Sequence, residues 1–301
     1  MGVAELASGL ARRYLSGERF DALRGVYLGG RQRMAPVIRL VRGTFDAPTL
    51  RRHLHDRIGQ GFQILMVHSS MNGMQPTFTG TPLELVKMLV EFVGPERTLA
   101  MPAFYFGEGG LGAYPTFAAR PRFDLTRTAS QMGLATELFR RLPGVVQSRH
   151  PAYRVAAIGP LAAELTRGHE EADTPAGRGT PFEFMAQHDT CILGIGKHVE
   201  VMTQAHHIEH LLGDAFPVPS RPTPPLAMTL VERGREIPFQ LRSREIDGRF
   251  DPRRIRRLLK PGTLAEWRFH GVPLFAARAA DATRDLVEAA RRGQTLYEPL
   301  A

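Results

Sequence analysis

The densest run of chemically competent side chains in this 301-residue chain is His206-His207-Ile208-Glu209-His210. On a helix, residues three and four apart share a face, so His206 meets both Glu209 and His210. Two chemistries use such a set. Written as His-x-x-Glu-His, it is the inverted zinc-hydrolase pattern, in which two imidazoles hold the metal and the carboxylate activates water. A third protein ligand is then needed, and Asp281, Asp285 and Glu288 are donors that could supply it. Alternatively, one imidazole takes a proton from an amine or hydroxyl while a neighbouring carboxylate fixes its tautomer and stabilises the cation. His206 and Glu209 have the spacing for this, and Glu200 is a second carboxylate able to align an acceptor. A set of solvated or satisfied helix histidines also fits, since so short a match is easily met in a chain with eleven histidines.

Composition narrows the class of protein. Apolar residues at 43%, aromatics at 8% and charged residues at 23% exclude a disordered chain, a collagen-like repeat and a disulfide scaffold. The single Cys191 cannot form an internal disulfide, which suits a reducing compartment. No apolar run approaches the ~18 residues needed to span a bilayer, and the first residues lack a secretory apolar core. The expectation is a soluble cytoplasmic protein with no transmembrane segment.

The net charge of +9 is uneven: residues 1–60 carry eleven Arg against five acids, and a second basic stretch runs from Leu241 to Gly262. Only Lys87, Lys197 and Lys260 are lysines, so the charge is almost wholly guanidinium, which forks onto phosphate and carboxylate. No helix-turn-helix, zinc finger or aromatic RNA-binding signature accompanies it, so no specific nucleic acid is expected. A non-catalytic protein holding an anionic ligand on this surface remains an alternative, as does a merely solvated Arg-rich surface.

These residues need a scaffold. Phe62–Ser70 reads as a buried strand by its continuous apolar character, and Thr98–Phe104 as another. Between them, TPLELVKMLVEFVG is a capped helix closed by Gly94, which completes a strand–helix–strand unit. A Gly- and Pro-rich loop from Tyr105 to Arg122 is long enough to be a lid or binding loop. Helices are expected over 130–144, over 161–173 (ending in Glu170, Glu171 and Asp173) and over 281–292. Strands are expected at Val155–Ile158 and Asp189–Gly196, with a hairpin at Arg233-Gly234. Cys191 falls inside a strand and reads as core. The histidine segment follows the Asp189–Gly196 strand, where α/β proteins bind ligands outside the carboxyl ends of their strands. The fold class is α/β: a single α/β/α layered domain over 46–301 with a central mainly parallel or mixed sheet, preceded by a basic N-terminal segment, 1–45.

Fragments along the chain carry a resemblance. VHSSM (67–71), VGPERTLAMPAF (93–104), MGLATELFRRLPGVVQSRHPAYRVAAIGPLAAEL (132–165), GRGTPFEFM (177–185) and ILGIG (192–196) fall in the order found in the aminoglycoside 3-N-acetyltransferase family, and Gly271–Leu286 matches more loosely. The chain resembles that family over residues ~46–301. The resemblance implies transfer of an acetyl group from acetyl-CoA to an amine. The family's histidine followed three positions later by Glu falls on His206 and Glu209, with His206 as base. The preceding D-S-N-T pattern puts Glu200 at the Asp, Met202 at the Asn, and keeps Thr203. His68, Ser69, Ser70, Arg149 and Thr203 are then candidates for holding CoA, with Arg residues of 253–257 for its phosphates. Backbone N–H groups around Ser69-Ser70 are candidate oxyanion donors. His150 falls at the family's His-Pro, where it would shape a turn. Neither Cys191 nor the serines have a nucleophile's setting, and no G-x-S-x-G elbow is present, so direct transfer without a covalent intermediate or a metal is expected. Met202 lacks the amide that an aminoglycoside would use. The acceptor is therefore expected to be an aminoglycoside-like amine, an amino sugar or a polysaccharide precursor, in a pocket to which Glu200 and the 170–173 cluster could lend negative charge. A homo-oligomer is left open.

Overall fold

The structure is a computed structural model that describes residues 30, 33–109 and 112–299. Its centre is β1 (Ile64–Ser69), six residues all buried. Such a run must be covered on both faces, and its alternation shows how. Ile64 and Met66 enter one apolar cluster with Phe182, Phe275 and Leu286. Leu65 and Val67 enter another with Leu50, Leu54, Leu89 and Phe92. A sheet therefore lies between two helical layers.

On one face pack the helices Ala47–Ile58 and Pro82–Val93. The first is capped by the Asp46 side chain, which accepts from the Thr49 amide at 2.9 Å. The second has a complete capping box: Thr81 accepts from the Glu84 amide at 3.2 Å and Glu84 accepts from the Thr81 amide at 2.6 Å. On the other face lie Pro181–Gln187 and Ala279–Arg291.

The remaining strands of this sheet are β2 (Thr98–Pro102), β4 (Val146–Gln147), β5 (Val155–Ile158), β6 (Thr190–Ile195), β12 (Leu264–Phe269) and β13 (Val272–Arg278). Their order is β12-β13-β6-β1-β2-β5-β4. The sheet is mixed: β2, β1 and β6 run parallel, while β12, β13, β5 and β4 join antiparallel. A three-stranded sheet of β3 (Arg122–Asp124), β8 (Leu226–Glu232) and β9 (Arg235–Leu241) has its own small core around Phe117, Phe123 and Leu230. The β8–β9 turn is the expected hairpin, with Arg233 and Gly234 both at positive φ. Two short pairs complete the chain: β7 (Ser220–Pro222) with β10 (Arg244–Ile246), and β11 (Gly248–Phe250) with β14 (Tyr297–Pro299).

Several elements differ from the sequence reading. The 130–144 helix is confined to Leu134–Phe139, and the 161–173 helix to Ala162–Thr166, which leaves the acidic cluster in turns beyond Gly168 at φ +71°. The long loop holds a helix, Ala113–Ala119, before β3. Most of the basic leader lies outside the described residues. Its Ala35–Arg42 helix docks through Arg39 Nε onto the Pro76 carbonyl at 2.8 Å, and Phe45 is buried. No helix among the described residues is long and apolar enough to cross a membrane.

Candidate active site

The carboxyl ends of β1 and β6 lie side by side, with Ser69 in register with Ile195. Immediately beyond them the chain turns tightly. The Ser70 amide donates to the Ile195 carbonyl at 2.9 Å, and the Ser70 hydroxyl accepts from the Gly73 amide at 3.1 Å to cap the Met71–Met74 turn. A Cβ at position 73 would stand 1.9 Å from the Gly196 carbonyl oxygen, so only glycine allows the two loops to meet. Over this edge opens a cleft of about 590 Å³, lined by His68, Ser69, Pro102, Thr203 and His206, with Phe106 and Phe250 among its other walls.

His206 enters the cleft at the junction of a 3₁₀ turn (Thr203–His206) and the His207–Leu212 helix. Its Nδ1 lies 3.2 Å from Glu209 Oε1. The imidazole side chain is 27% exposed while the carboxylate beside it is 6% exposed, so the ring is reachable from the cleft and its partner is not. A carboxylate only accepts, so Nδ1 carries the proton and Nε2 keeps a lone pair. The ring is held from both sides: Phe250 stacks on it with centroids 5.1 Å apart, and Tyr153 meets it edge-on at 6.0 Å. Glu209 has a second partner. The Tyr297 phenol lies beside it, and burial together with that carboxylate pushes the phenol's pKa well up.

Two polar side chains in the cleft wall lack partners among the described residues. His68 is buried with neither ring nitrogen hydrogen-bonded, and Thr203 is buried with its hydroxyl unpaired. Desolvation, with Lys197 as a smaller contribution, lowers the His68 pKa to about 3, so the ring is neutral at ordinary pH.

Comparison with known proteins decides what this site belongs to. A family profile described as "Aminoglycoside 3-N-acetyltransferase" matches residues 66–289. The chain belongs to the aminoglycoside 3-N-acetyltransferase family. It is similar to aminoglycoside N(3)-acetyltransferase IX of Micromonospora chalcea, 28% identical over 230 residues that cover 71% of this chain and 79% of the relative. Among solved structures it resembles sisomicin-bound AAC-VIa, with a TM-score of 0.68 at 23% identity over 84% of this chain and all of that one. It also resembles the AAC-IIIb binary structure with CoASH, at TM-score 0.66 and 19% identity over 85% of this chain and all of that one. The mixed α/β fold is thus the fold of the aminoglycoside 3-N-acetyltransferases, and the protein is an acetyltransferase by family.

The sequence-selected residues sort around the cleft. His68, Ser69, Glu200, Thr203 and His206 line it, and Glu209 backs His206. Ser70 caps its turn, and its amide is spent on Ile195, so that amide is not an oxyanion donor. Glu200 is paired with Arg256, which also forks onto Glu266 at 2.7 and 2.8 Å. A single guanidinium is thus divided between two carboxylates, and the trio keeps one negative charge.

Arg149 lies elsewhere, in a second cleft of about 920 Å³, where it bonds Glu232 at 2.9 and 3.0 Å and Glu170 at 3.0 Å. The acidic cluster therefore faces that cleft through Glu170 rather than the His206 cleft. His150 shapes its turn, its Nδ1 accepting from the Ala152 and Tyr153 amides. Cys191 is core, and burial raises its thiol to about 11.

The zinc reading lacks its third ligand. Asp281 pairs with Arg284, Asp285 accepts from Lys260 and Thr263, and Glu288 pairs with Lys260. Among the described residues no three His, Cys, Asp or Glu side chains are grouped to hold a metal. Sequence reasoning missed Tyr297 and Phe250, which reach His206 and Glu209 from two three-residue strands with no periodicity to reveal them.

Proposed function

We propose that this acetyltransferase moves an acetyl group from acetyl-CoA directly to an amine of an aminoglycoside or amino sugar, with His206 as general base held by Glu209. The observation that carries this reading is the 3.2 Å contact between a cleft-facing imidazole and a buried carboxylate. An ammonium cannot attack a thioester; His206 Nε2 takes the amine's proton as the C–N bond forms. Glu209 keeps the tautomer and stabilises the imidazolium. No activated nucleophile is at hand for an acyl-enzyme, which favours a ternary complex of donor and acceptor.

A neighbouring groove of about 720 Å³ with Arg257, Arg268 and Trp267 in its wall suits the phosphates of CoA, whereas Arg253 in the same wall is already forked by Asp251. Glu200 lines the cleft and shares Arg256 with Glu266, so this wall keeps negative charge that suits a cationic amino-sugar acceptor. An enzyme drawing on acetyl-CoA works in the cytoplasm.

The test is thiol release from acetyl-CoA with a panel running from sisomicin to glucosamine. Acceptor-dependent CoASH release that His206→Ala abolishes, with acetyl-CoA affinity by calorimetry unchanged, is the expected result. Release with no amine in the panel, or parallel loss of transfer and CoA affinity in the variant, overturns it.

A further inference from the structure

Buried polar groups in proteins almost always find partners, and leaving one unpaired costs free energy. The cleft wall breaks that rule twice, at His68 and at Thr203 on the turn that ends in the proposed base. His68 stands in register with Gly194, where any side chain would strike the Phe275 ring. The imidazole is therefore walled by a glycine and by Phe275, its ring centroid 6.3 Å from that of His68, neither of which can bond it. Thr203 opens the 3₁₀ turn that ends in His206, its hydroxyl unpaired beside the same cleft. A neutral imidazole has one N–H to give and a hydroxyl has one O–H. Meanwhile the backbone donor nearest by sequence, the Ser70 amide, is consumed by Ile195.

We propose that His68 and Thr203 donate to the thioester carbonyl oxygen and stabilise the oxyanion that develops on it. The inference rests on the acyl-transfer reading. In the step, the amine nitrogen attacks the thioester carbon and the C=O π pair moves onto oxygen, where the two donors meet it. His206 takes the amine's proton. The oxyanion then collapses, the C–S bond breaks, and the thiolate takes the proton from His206 to leave as CoASH. Such donors act because they are fixed in place before charge develops and are shielded from water. Burial keeps His68 neutral, which suits a donor and prevents it from competing with His206 as a base.

The experiment compares Thr203→Val and His68→Leu, which delete a donor, with Thr203→Ser and His68→Asn, which keep one. Each deletion is expected to lower kcat by about 10²–10³-fold with KM for acetyl-CoA changed little. The donor-keeping variants should recover most of the rate. Because each deletion removes an unpaired polar group, the Val and Leu variants should melt no lower than the parent. A merely structural pair would lower the melting temperature and leave kcat per folded molecule intact, which overturns the proposal. If His68→Leu fails to fold, Thr203→Val carries the test alone. Parental kcat in Thr203→Val alongside an inactive His206→Ala sinks this inference only; an active His206→Ala sinks the acyl-transfer mechanism with it.

Discussion

Two groups of histidines, each in edge contact with Tyr153 through one member, His150 or His206, are solved in opposite ways. His150 and His169 stack at 4.8 Å in the interior. His150 accepts from two backbone amides, and His169 uses both ring nitrogens, on the Ser148 hydroxyl and the Pro175 carbonyl, each at 2.8 Å. Every bond they make holds a turn closed. In the cleft, His206 spends one nitrogen on Glu209 and keeps the other, while His68 spends neither. Satisfaction by the protein fits the first pair to structure, and an unmet bonding capacity facing a cavity fits the second to the roles proposed for it. Exposure alone would not separate them, since His68 is as buried as His150.

The comparison breaks most visibly in catalysis. Replacing His206 by Ala should cost about 10²–10⁴-fold in kcat, the usual contribution of a positioned base. His150→Leu should leave kcat per folded molecule near the parent's. Equal losses from the two substitutions, measured by thiol release at saturating acetyl-CoA, would erase the distinction. Stability should respond in reverse. His150→Leu strands the Ala152 and Tyr153 amides, at about 1–3 kcal/mol for a buried donor left unpaired, so a loss of about 2–4 kcal/mol is expected in urea unfolding. His206→Ala should stay within about 1 kcal/mol of the parent, as its half-open site allows.

Much of the positioning frame was legible because it is written locally. Continuous apolar runs announced β1 and β6, the Thr81–Glu84 box fixed a helix start, and Arg233-Gly234 marked a hairpin. The three-residue spacing of His206 and Glu209 likewise survives as a direct contact. What was hidden depends on partners far away in the chain. Arg149 looked free to hold a phosphate, yet Glu232, 83 residues on, claims it. Glu200 meets Arg256 from 56 residues away, and that guanidinium also serves Glu266. The antiparallel margins of the sheet come from β12, β13, β5 and β4, none of which signals its direction from composition.

Acid should probe the structural pair by linkage. Burial holds His169 at about 4 and His150 well below its ordinary value. The unfolded chain therefore binds protons that the native state refuses. Stability is complete above about pH 6.5 and falls as pH drops toward 4, by up to about 1.4 kcal/mol per pH unit for each such histidine. His169→Gln should flatten the slope of unfolding free energy between pH 6 and 4.5 by close to one proton. An unchanged slope would show that His169 is protonated in the folded state and that its neutral bonding is misassigned.

The smallest effect is expected where the sequence suggested a larger one. Arg149 is 41% exposed and its partners Glu170 and Glu232 are 19% and 32% exposed, so solvent screens the cluster. Arg149→Ala should cost about 0–1 kcal/mol of stability, as partly exposed ion pairs do. Its KM for acetyl-CoA should match the parent's, because the guanidinium is engaged by two carboxylates in a cleft that shares no lining residue with the one holding His206. A tenfold rise in that KM would mean that CoA reaches the second cleft and displaces Glu170 or Glu232 from Arg149. The turn region held by His150 and His169 would then belong to the donor's path, and the boundary between structural and functional histidines would have to be drawn elsewhere.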